Sequence, residues 1–204
     1  MTFVNGYCSI RNNRIVKDHQ LVFERAKDAD RLSFLNDAYA FLATEYPRFY
    51  KMNALSQLGI VSAEVLLKDR ILAKEYEPSK IGIVLSNANS SLDTDIDYLE
   101  TIKEIPSPSL FVYTLPNIVT GEICIRHRIK GENIFFVAEK FDAPFLSSYV
   151  DIVIGNDSTQ VCLAGWIEVG LGHYDVFLYL VEKQKKAFGI DHTAENLIKL
   201  YLAE

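Results

Sequence analysis

TLPNIVTGEICIRHRIKGENIFFVAEKFDA, residues 114–143, is the stretch that predicts the layout of this protein. Its part IVTGEICIRHRIK reads as a helix, and Gly131 is placed to end that helix. The run NIFFVAEK that follows is an apolar strand, and residues 141–154 have the pattern of another helix. A helix, a strand and a helix in succession indicate a layered α/β fold.

The residues before this stretch repeat the alternation. KMNALSQLGIVSAEVLLKDR is a helix with Asn53 as its N-cap, and its many small residues predict that another element packs closely against it. KIGIVLSNANSS predicts a buried strand, and DTDIDYLETIKEI a short helix with acidic residues in its first turn. SLFVYTLPN is expected to be extended.

The two ends of the chain complete the prediction. TFVNGYCSI is expected to be a strand, followed by a turn at Asn12 and Asn13. VCLAGWIEVG and YDVFLYLVEK predict an antiparallel hairpin, and TAENLIKLYLAE a closing helix. Because buried strands alternate with helices but one pair is antiparallel, we expect a mixed sheet between helices in a single domain, residues 1–204.

The amino-acid composition limits the classes of partner that this protein is expected to bind. The chain has 204 residues, is 49% hydrophobic and carries a net charge of -6, which is the wrong sign for a nucleic-acid surface. Its apolar runs are shorter than the roughly 20 residues that span a bilayer, and its start does not resemble a secretory signal. We therefore expect a cytoplasmic protein without membrane insertion.

Motifs for metal, cofactor or hydrolase chemistry are missing from the sequence. Three separated cysteines give no CxxC pair, and the histidines have no metal-ligand spacing. Asp93, Asp95 and Asp97 imitate a calcium loop, but Tyr98 stands where that loop needs glycine, so a capped helix start is the better interpretation. There is no G-x-S-x-G elbow and no glycine-rich phosphate loop, so we expect neither a metal nor a cofactor.

A short basic run lies late in the first helix of the opening stretch. Arg126, Arg128 and Lys130, with His127 between them, could dock an acidic partner such as an acyl carrier protein. The alternative is a solvated helix end, where basic side chains are favoured by the helix dipole. The sequence leaves both interpretations open.

Three segments together resemble the N-terminal half of β-ketoacyl synthases of the thiolase-like superfamily. They are YPRFYKMNALSQLGIVSAEVLL, IGIVLSNANSS and TLPNIVTGEICIRHRIKGEN, the last with Leu-Pro-Asn opening a helix and Gly-x-Asn starting the next strand. VCLAGWIEV is similar to a later strand of that family, which ends at a Gly-Gly or Gly-x-x-Glu turn. The resemblance is strongest over residues 46–170 and implies a thiolase-like layered half-fold.

The resemblance also shows what has changed. In active members, the strand after Gly-x-Asn leads to a cysteine at a helix N-terminus, where the dipole makes the thiolate more reactive. That spacing places the nucleophile near Lys140, next to Glu139, and neither side chain can form the acyl thioester. The chain is about half as long as such synthases, so their catalytic histidines would lie outside it. We expect no independent condensation.

The resemblance implies that the strand after Gly-x-Asn lies at a subunit interface and that the Leu-Pro-Asn helix lies near the interface and the acyl tunnel. The predicted contact residues are Thr114, Leu115, Pro116, Asn117, Ile134, Phe135, Phe136 and Val137. The hypothesis is a chain-length-factor-like subunit that pairs with an active β-ketoacyl synthase of fatty acid, polyketide or aryl-polyene synthesis. The alternatives are residual acyl transfer through Cys8 or Cys162, and a self-associating binding module.

Overall fold

One sheet organises the chain in the structure, a computed structural model that describes residues 1–170 and 172–203. The strands are β1 (Phe3–Arg11), β2 (Arg14–Lys17), β3 (Gln20–Glu24), β4 (Ile81–Asn87), β5 (Asn133–Val137), β6 (Val161–Gly170), β7 (His173–Glu182) and β8 (Ile190–Asp191). The α-helices are α1 (Arg31–Leu42), α2 (Ala54–Leu66), α3 (Leu72–Glu75), α4 (Leu92–Ile102), α5 (Pro108–Val112), α6 (Ile118–His127), α7 (Ala143–Gly155) and α8 (Ala194–Leu202). Short 3-10 helices cover Pro47–Lys51 and Pro78–Lys80.

The sheet is mixed, as the sequence predicts. Its strand order is β3-β2-β1-β7-β6-β4-β5, and β8 also pairs with β1. β4 runs parallel to β5 and β6, whereas β6 and β7 form an antiparallel hairpin and the remaining pairs are antiparallel. β3 and β5 are therefore the edge strands at the two ends of this order.

Helices cover both faces of the sheet. All seven residues of β4 are buried, as expected for a parallel strand between two layers. Helices α1, α2 and α6 share one apolar core with one face, and α7 and α8 share a second core with the other. The predicted layered α/β arrangement is confirmed.

Two tight turns shape the N-terminal meander. Asn12 and Asn13 both have positive φ, 49° and 59°, and so do Asp18 and His19. Two consecutive left-handed residues match the right-handed twist of the strands that they connect, and Asn and Asp tolerate this conformation best. The predicted Asn-Asn turn thus joins β1 to β2, and a second turn joins β2 to β3.

Two boundaries in the opening stretch differ from the prediction. The segment expected to be extended contains α5, because the Ser107 hydroxyl accepts a hydrogen bond from Leu110 N and Pro108 is pre-set for a first helical turn. Helix α6 ends at His127, where Arg128 takes the left-handed cap position with φ 58°. Gly131 serves a different purpose, since a Cβ there would lie 2.6 Å from Ile81 O.

The segment that resembles a strand ending at a Gly-x-x-Glu turn is also different. Gly165 and Glu168 both lie inside β6, which continues to Gly170. Gly165 has φ 156°, and a Cβ on it would lie 2.1 Å from Phe177 O of β7. The glycine therefore permits close approach of two central strands and does not form a turn.

Helix α2 packs closely against both the sheet and α6, as its small residues predict. Asn53 caps it by accepting a hydrogen bond from Ser56 N at 3.0 Å, and nearly every side chain along it is buried. At Gly59 a Cβ would lie 2.4 Å from Val119 Cγ2 and 3.2 Å from Ile123 Cδ1. The approach of α6 to α2 therefore depends on the missing side chain at this position.

We expect Gly59→Ala to lower the free energy of unfolding by about 1–3 kcal/mol, because the added methyl group overpacks the α2–α6 contact. Gly121→Ala is the matched control, since Gly121 is an exposed helical glycine with no atom within 4 Å of a built Cβ. The control should gain about 0.5–1 kcal/mol from helix propensity. Guanidinium unfolding measures both, and a Gly59→Ala protein as stable as the native one would contradict this packing.

Helix α8 is tethered to α7 through a buried histidine. His192 Nδ1 lies 3.0 Å from Asp151 Oδ1 and 3.3 Å from the Thr2 hydroxyl, and the histidine side chain is fully buried. Burial lowers the pKa of His192, and the neighbouring Asp151 carboxylate opposes this effect only in part. His127 on α6 is also largely buried, and its pKa is lowered by burial against the attraction of Glu64. Both histidines thus favour the neutral form in the folded state.

We expect the folded state to lose stability on acidification below about pH 6.5, because the unfolded chain then binds protons that the buried histidines resist. The stability that the neutral histidines contribute is fully present above the histidine pKa of the unfolded chain. It is lost as the pH falls towards the lower histidine pKa of the folded protein. Each histidine adds at most about 1.4 kcal/mol per pH unit. Unfolding curves between about pH 8 and 5.5 measure the slope, which His192→Asn should reduce. An unchanged slope in that variant would refute the role of His192.

Candidate functional site

The position predicted for the lost nucleophile lies at the carboxyl edge of the parallel strands. After β5, Ala138 N donates a hydrogen bond to Asn87 O of β4 at 2.8 Å, and the chain then leaves the sheet. Glu139 and Lys140 follow in an exposed loop before α7. Open α/β sheets bind ligands at this edge, so it is where chemistry would be expected.

The N-terminus of α7 has few free backbone N–H groups that could bind an anion. Asp142 is its N-cap, and its carboxylate accepts a hydrogen bond from Phe145 N at 2.9 Å. Pro144 has no N–H, and Leu146 N is bonded to Asp142 O at 2.9 Å. Because the helix supplies its own negative cap, its dipole already has a carboxylate at the place where a thiolate or oxyanion would be stabilised.

An aromatic cluster fills the space beside this helix start. The Phe141 ring stacks on Tyr201 of α8 with ring centroids 4.4 Å apart, and meets Phe177 of β7 edge to face at 5.4 Å. Tyr201 and Phe177 are themselves in contact at 5.7 Å. We call these three rings the Phe141 cluster. It packs on the face of the sheet that α7 and α8 cover.

A charged network holds the Phe141 cluster in place. Asp175 accepts hydrogen bonds from Arg11 Nε and from the Tyr201 hydroxyl, both at 2.5 Å. The Arg11 guanidinium also lies 4.2 Å from the Tyr201 ring centroid, a cation–π contact. Burial, followed by the neighbouring Asp175 carboxylate, raises the pKa of Tyr201, so the phenol stays protonated and donates.

Glu168 is a second buried carboxylate at this edge. It lies directly opposite Asp175 in the β6–β7 register. Its oxygens accept from Ala88 N at 2.5 Å, Asn89 N at 3.2 Å and Asn89 Nδ2 at 2.5 Å. The carboxylate therefore closes the loop after β4, and a lone acidic residue in an apolar strand was the only sequence signal for it.

The predicted contact residues surround a groove between α6 and β5. A cavity of about 380 Å³ is lined by Pro116, Asn117, Thr120, Asn133, Ile134, Phe135 and Val137. Five of these belong to the predicted set, so the structure brings the Leu-Pro-Asn segment and the edge strand together. We call this the α6–β5 groove.

The rest of the predicted set lies outside the groove. Phe136 points to the other face of β5, where its ring meets Phe145 at 4.8 Å and Tyr149 at 4.9 Å. The alternation of side chains along a strand requires this separation from Phe135. Thr114 uses its hydroxyl to donate to Phe111 O at 2.7 Å, while Leu115 is 55% exposed.

The basic run does not form one free patch. Arg126 Nε donates to Glu64 Oε1 at 2.5 Å, and its Nη2 donates to the Thr44 hydroxyl at 2.5 Å. Its guanidinium also lies over the Tyr46 ring. Arg128 and Lys130 are exposed, so only these two remain accessible to a docking partner.

The three cysteines are poorly placed for acyl transfer. Cys8 and Cys162 are fully buried, and burial raises the pKa of both thiols far above the usual range. Cys124 is partly buried, and burial raises its pKa to about 11. Across residues 1–170 and 172–203 there is no group of three metal-ligating side chains close enough to hold an ion, and no helix long and apolar enough to cross a bilayer.

No protein-family model matches the sequence, and no curated protein does. Solved structures do match. The ishigamide ketosynthase/chain length factor aligns with a TM-score of 0.64 at 17% identity, over 89% of this chain and 62% of that chain. A type II polyketide synthase acyl-carrier protein in complex with its ketosynthase aligns with a TM-score of 0.59 at 17% identity, over 90% of this chain and 62% of that chain.

A third structure is closer in length. A ketosynthase in complex with its chain length factor from Xenorhabdus doucetiae aligns with a TM-score of 0.60 at 12% identity, over 98% of this chain and 90% of that chain. This chain spans less than two thirds of the first two structures. At these identities the comparisons show the fold, and they confirm the predicted resemblance to ketosynthase-like half-folds.

We expect the buried thiols to stay unmodified when the folded protein is treated with iodoacetamide at about pH 8, because the thiolate is the reactive form. Cys124, with a pKa of about 11, should react about a thousand times more slowly than its full thiolate would. Peptide mass spectrometry locates the label, and treatment in guanidinium, where all three cysteines react, is the control. Rapid labelling of Cys8 or Cys162 in the folded protein would support the alternative hypothesis of residual acyl transfer.

Proposed function

We propose that this ketosynthase-like half-fold is a non-catalytic subunit that pairs with an active β-ketoacyl synthase and acts as a chain-length factor. The proposal rests on one observation: side chains fill the space at the carboxyl edge of the parallel strands, whereas the α6–β5 groove is open. Lys140 is exposed, Asp142 caps α7, and the Phe141 cluster occupies the adjacent space. A chain that has lost the chemistry but keeps an uncovered edge strand has the features of a partner subunit.

The edge strand supports pairing on physical grounds. β5 bonds only to β4, so its outer backbone groups face away from the sheet. Val137 on this strand is 60% exposed, and Leu115 nearby is 55% exposed. An uncovered apolar edge favours pairing with another chain, and proteins normally protect such edges. The contact with the synthase is accordingly assigned to the α6–β5 groove, with Leu115 at its side.

The comparisons support the class of partner. The matched assemblies are described as a ketosynthase with its chain length factor and as a ketosynthase with its acyl-carrier protein. By analogy, this subunit shapes the cavity for the growing chain of a fatty acid, polyketide or aryl polyene. Arg128 and Lys130 are the accessible residues assigned to carrier-protein docking, with Arg126 held by Glu64. Three free cysteines support a reducing, cytoplasmic setting.

We expect a one-to-one complex when the protein is co-expressed with the β-ketoacyl synthase encoded nearest to it. Light scattering after size-exclusion chromatography gives the stoichiometry, and an acyl-elongation assay gives the product length with and without this subunit. Val137→Asp should weaken the complex about tenfold or more, because it buries an unpaired charge at the edge strand. Leu21→Asp on β3, the opposite edge strand, is the matched control and should leave binding unchanged.

Different results would separate the alternatives. A homodimer that does not bind the synthase would favour a self-associating module, whereas elongation by this protein alone would refute the loss of the nucleophile. If the complex forms but the product length does not change, the pairing with the synthase is supported and the role in chain length is refuted. A complex that forms equally well with Val137→Asp would remove the edge strand from the interface.

A further inference from the structure

Helix α4 presents its apolar side to the surface. Leu92, Ile96, Leu99 and Ile102 follow at helical spacing along one side, and they are 36%, 46%, 60% and 50% exposed. In an ordinary surface helix such a stripe faces the core. Here the orientation is reversed, which leaves an amphipathic helix with an uncovered apolar side.

Polar contacts on the inner side fix this orientation. Thr94 is buried and accepts a hydrogen bond from Asn53 Nδ2 at 2.9 Å, next to the cap of α2. Asp93 forms an ion pair with Arg31 of α1 at 2.9 Å, and the Ser91 hydroxyl donates to Thr114 O at 2.5 Å. Rotation of α4 to bury its apolar stripe would break these contacts. The outward stripe is therefore built into the fold.

The segment after α4 extends the apolar surface. Tyr98 of α4 and Phe111 of α5 meet with ring centroids 5.5 Å apart, which joins the two helices. Eight of the twenty exposed large hydrophobic residues in the described part of the chain lie between residues 92 and 115. They are Leu92, Ile96, Leu99, Ile102, Ile105, Phe111, Val112 and Leu115. We call this surface the α4–α5 face, and such a concentration marks a protein-interaction site.

Most charged side chains of the segment that forms the α4–α5 face are acidic, and one of them, Asp93, pairs with Arg31 of α1. Residues 92–115 contain five acidic side chains and one basic side chain, Lys103. Lys103 is bound to Glu100 at 2.5 Å, whereas Asp95, Asp97 and Glu104 are exposed. A second copy of this face, related by a two-fold axis, would place carboxylates against carboxylates. Charge complementarity instead requires a partner with lysine or arginine around an apolar centre.

We propose that the α4–α5 face binds a different protein, the active synthase of the proposed function, through an apolar surface rimmed by basic residues. Leu115 belongs to this face and directly precedes Pro116, which lines the α6–β5 groove, so one partner can cover both surfaces. The inference rests on the proposed function and extends it: the acidic rim selects a heterodimer over a homodimer. The α4–α5 face then determines which partner binds, and the edge strand supplies a second contact with the same partner.

The test uses the full chain and the β-ketoacyl synthase encoded nearest to it. Leu99→Gln/Ile102→Gln should raise the dissociation constant at least about tenfold, because central apolar contacts dominate binding. Ile198→Gln/Leu202→Gln is the matched control, with two exposed apolar residues on α8, and should change the constant less than about twofold. Calorimetry gives the constants, and thermal unfolding verifies that each variant is folded.

A charge-reversal variant tests the acidic rim. Glu100→Lys/Glu104→Lys should weaken binding about tenfold at about 50 mM salt, and the difference should shrink at about 500 mM salt as the charges are screened. If Val137→Asp weakens the complex but the two α4–α5 double variants do not, the role of the α4–α5 face in binding is refuted and the proposed function stands. Absence of any complex would overturn both. If the native protein is a homodimer and Leu99→Gln/Ile102→Gln converts it to monomers, the α4–α5 face binds a second copy of this chain and not the synthase.

Discussion

The arrangement of the whole chain depends on β4 being buried on both faces between two parallel neighbours. A parallel strand needs helices above and below it, and the crossovers to β5 and β6 must supply them. The chain meets this requirement with α6 on one face and α7 on the other. Close approach then demands the missing side chains of Gly59 and Gly131. The two cores are thus consequences of one strand that cannot be exposed.

The same constraint determines where chemistry could have taken place. The loops after β4 and β5 lie at the carboxyl edge of these parallel strands, and each is stabilised by internal contacts. Glu168 closes the first loop, Asp142 caps the helix after the second, and the Phe141 cluster fills the face between α7 and α8. A buried carboxylate that accepts several hydrogen bonds, as Glu168 does, stabilises a fixed loop structure.

Local signals predicted much of the fold, and long-range contacts account for most of what was missed. Asn53 was identifiable as a cap because its hydrogen bond reaches only three residues along the chain. Helix α5 was missed because a short apolar run is ambiguous between strand and helix, and the cap at Ser107 decides the outcome. The fold class, the mixed sheet and the edge position of β5 followed from the alternation of elements together with the family resemblance.

The candidate site was only partly predictable for the same reason. Pro116, Asn117 and Phe135 were expected together and do line one groove. Glu168 and Asp175 were not expected, because their opposition depends on the β6–β7 register. Helix α4 was predicted as a helix, but the direction of its apolar stripe depends on contacts with Arg31 and Asn53, which lie far away in the sequence.

The pairing of β1 with β7 has a consequence for the order of folding. Phe3 lies opposite Glu182, and Val4 opposite Ile190, so the middle of the sheet joins the two ends of the described chain. Such pairing has high contact order and must overcome the entropy of closing a very long loop. On the ribosome, β1 has to wait for β7 to emerge, while β4, α6 and β5 are already available for local docking. The surfaces proposed to bind the partner can therefore form before the sheet is complete, and a chaperone or a binding partner would contact them first.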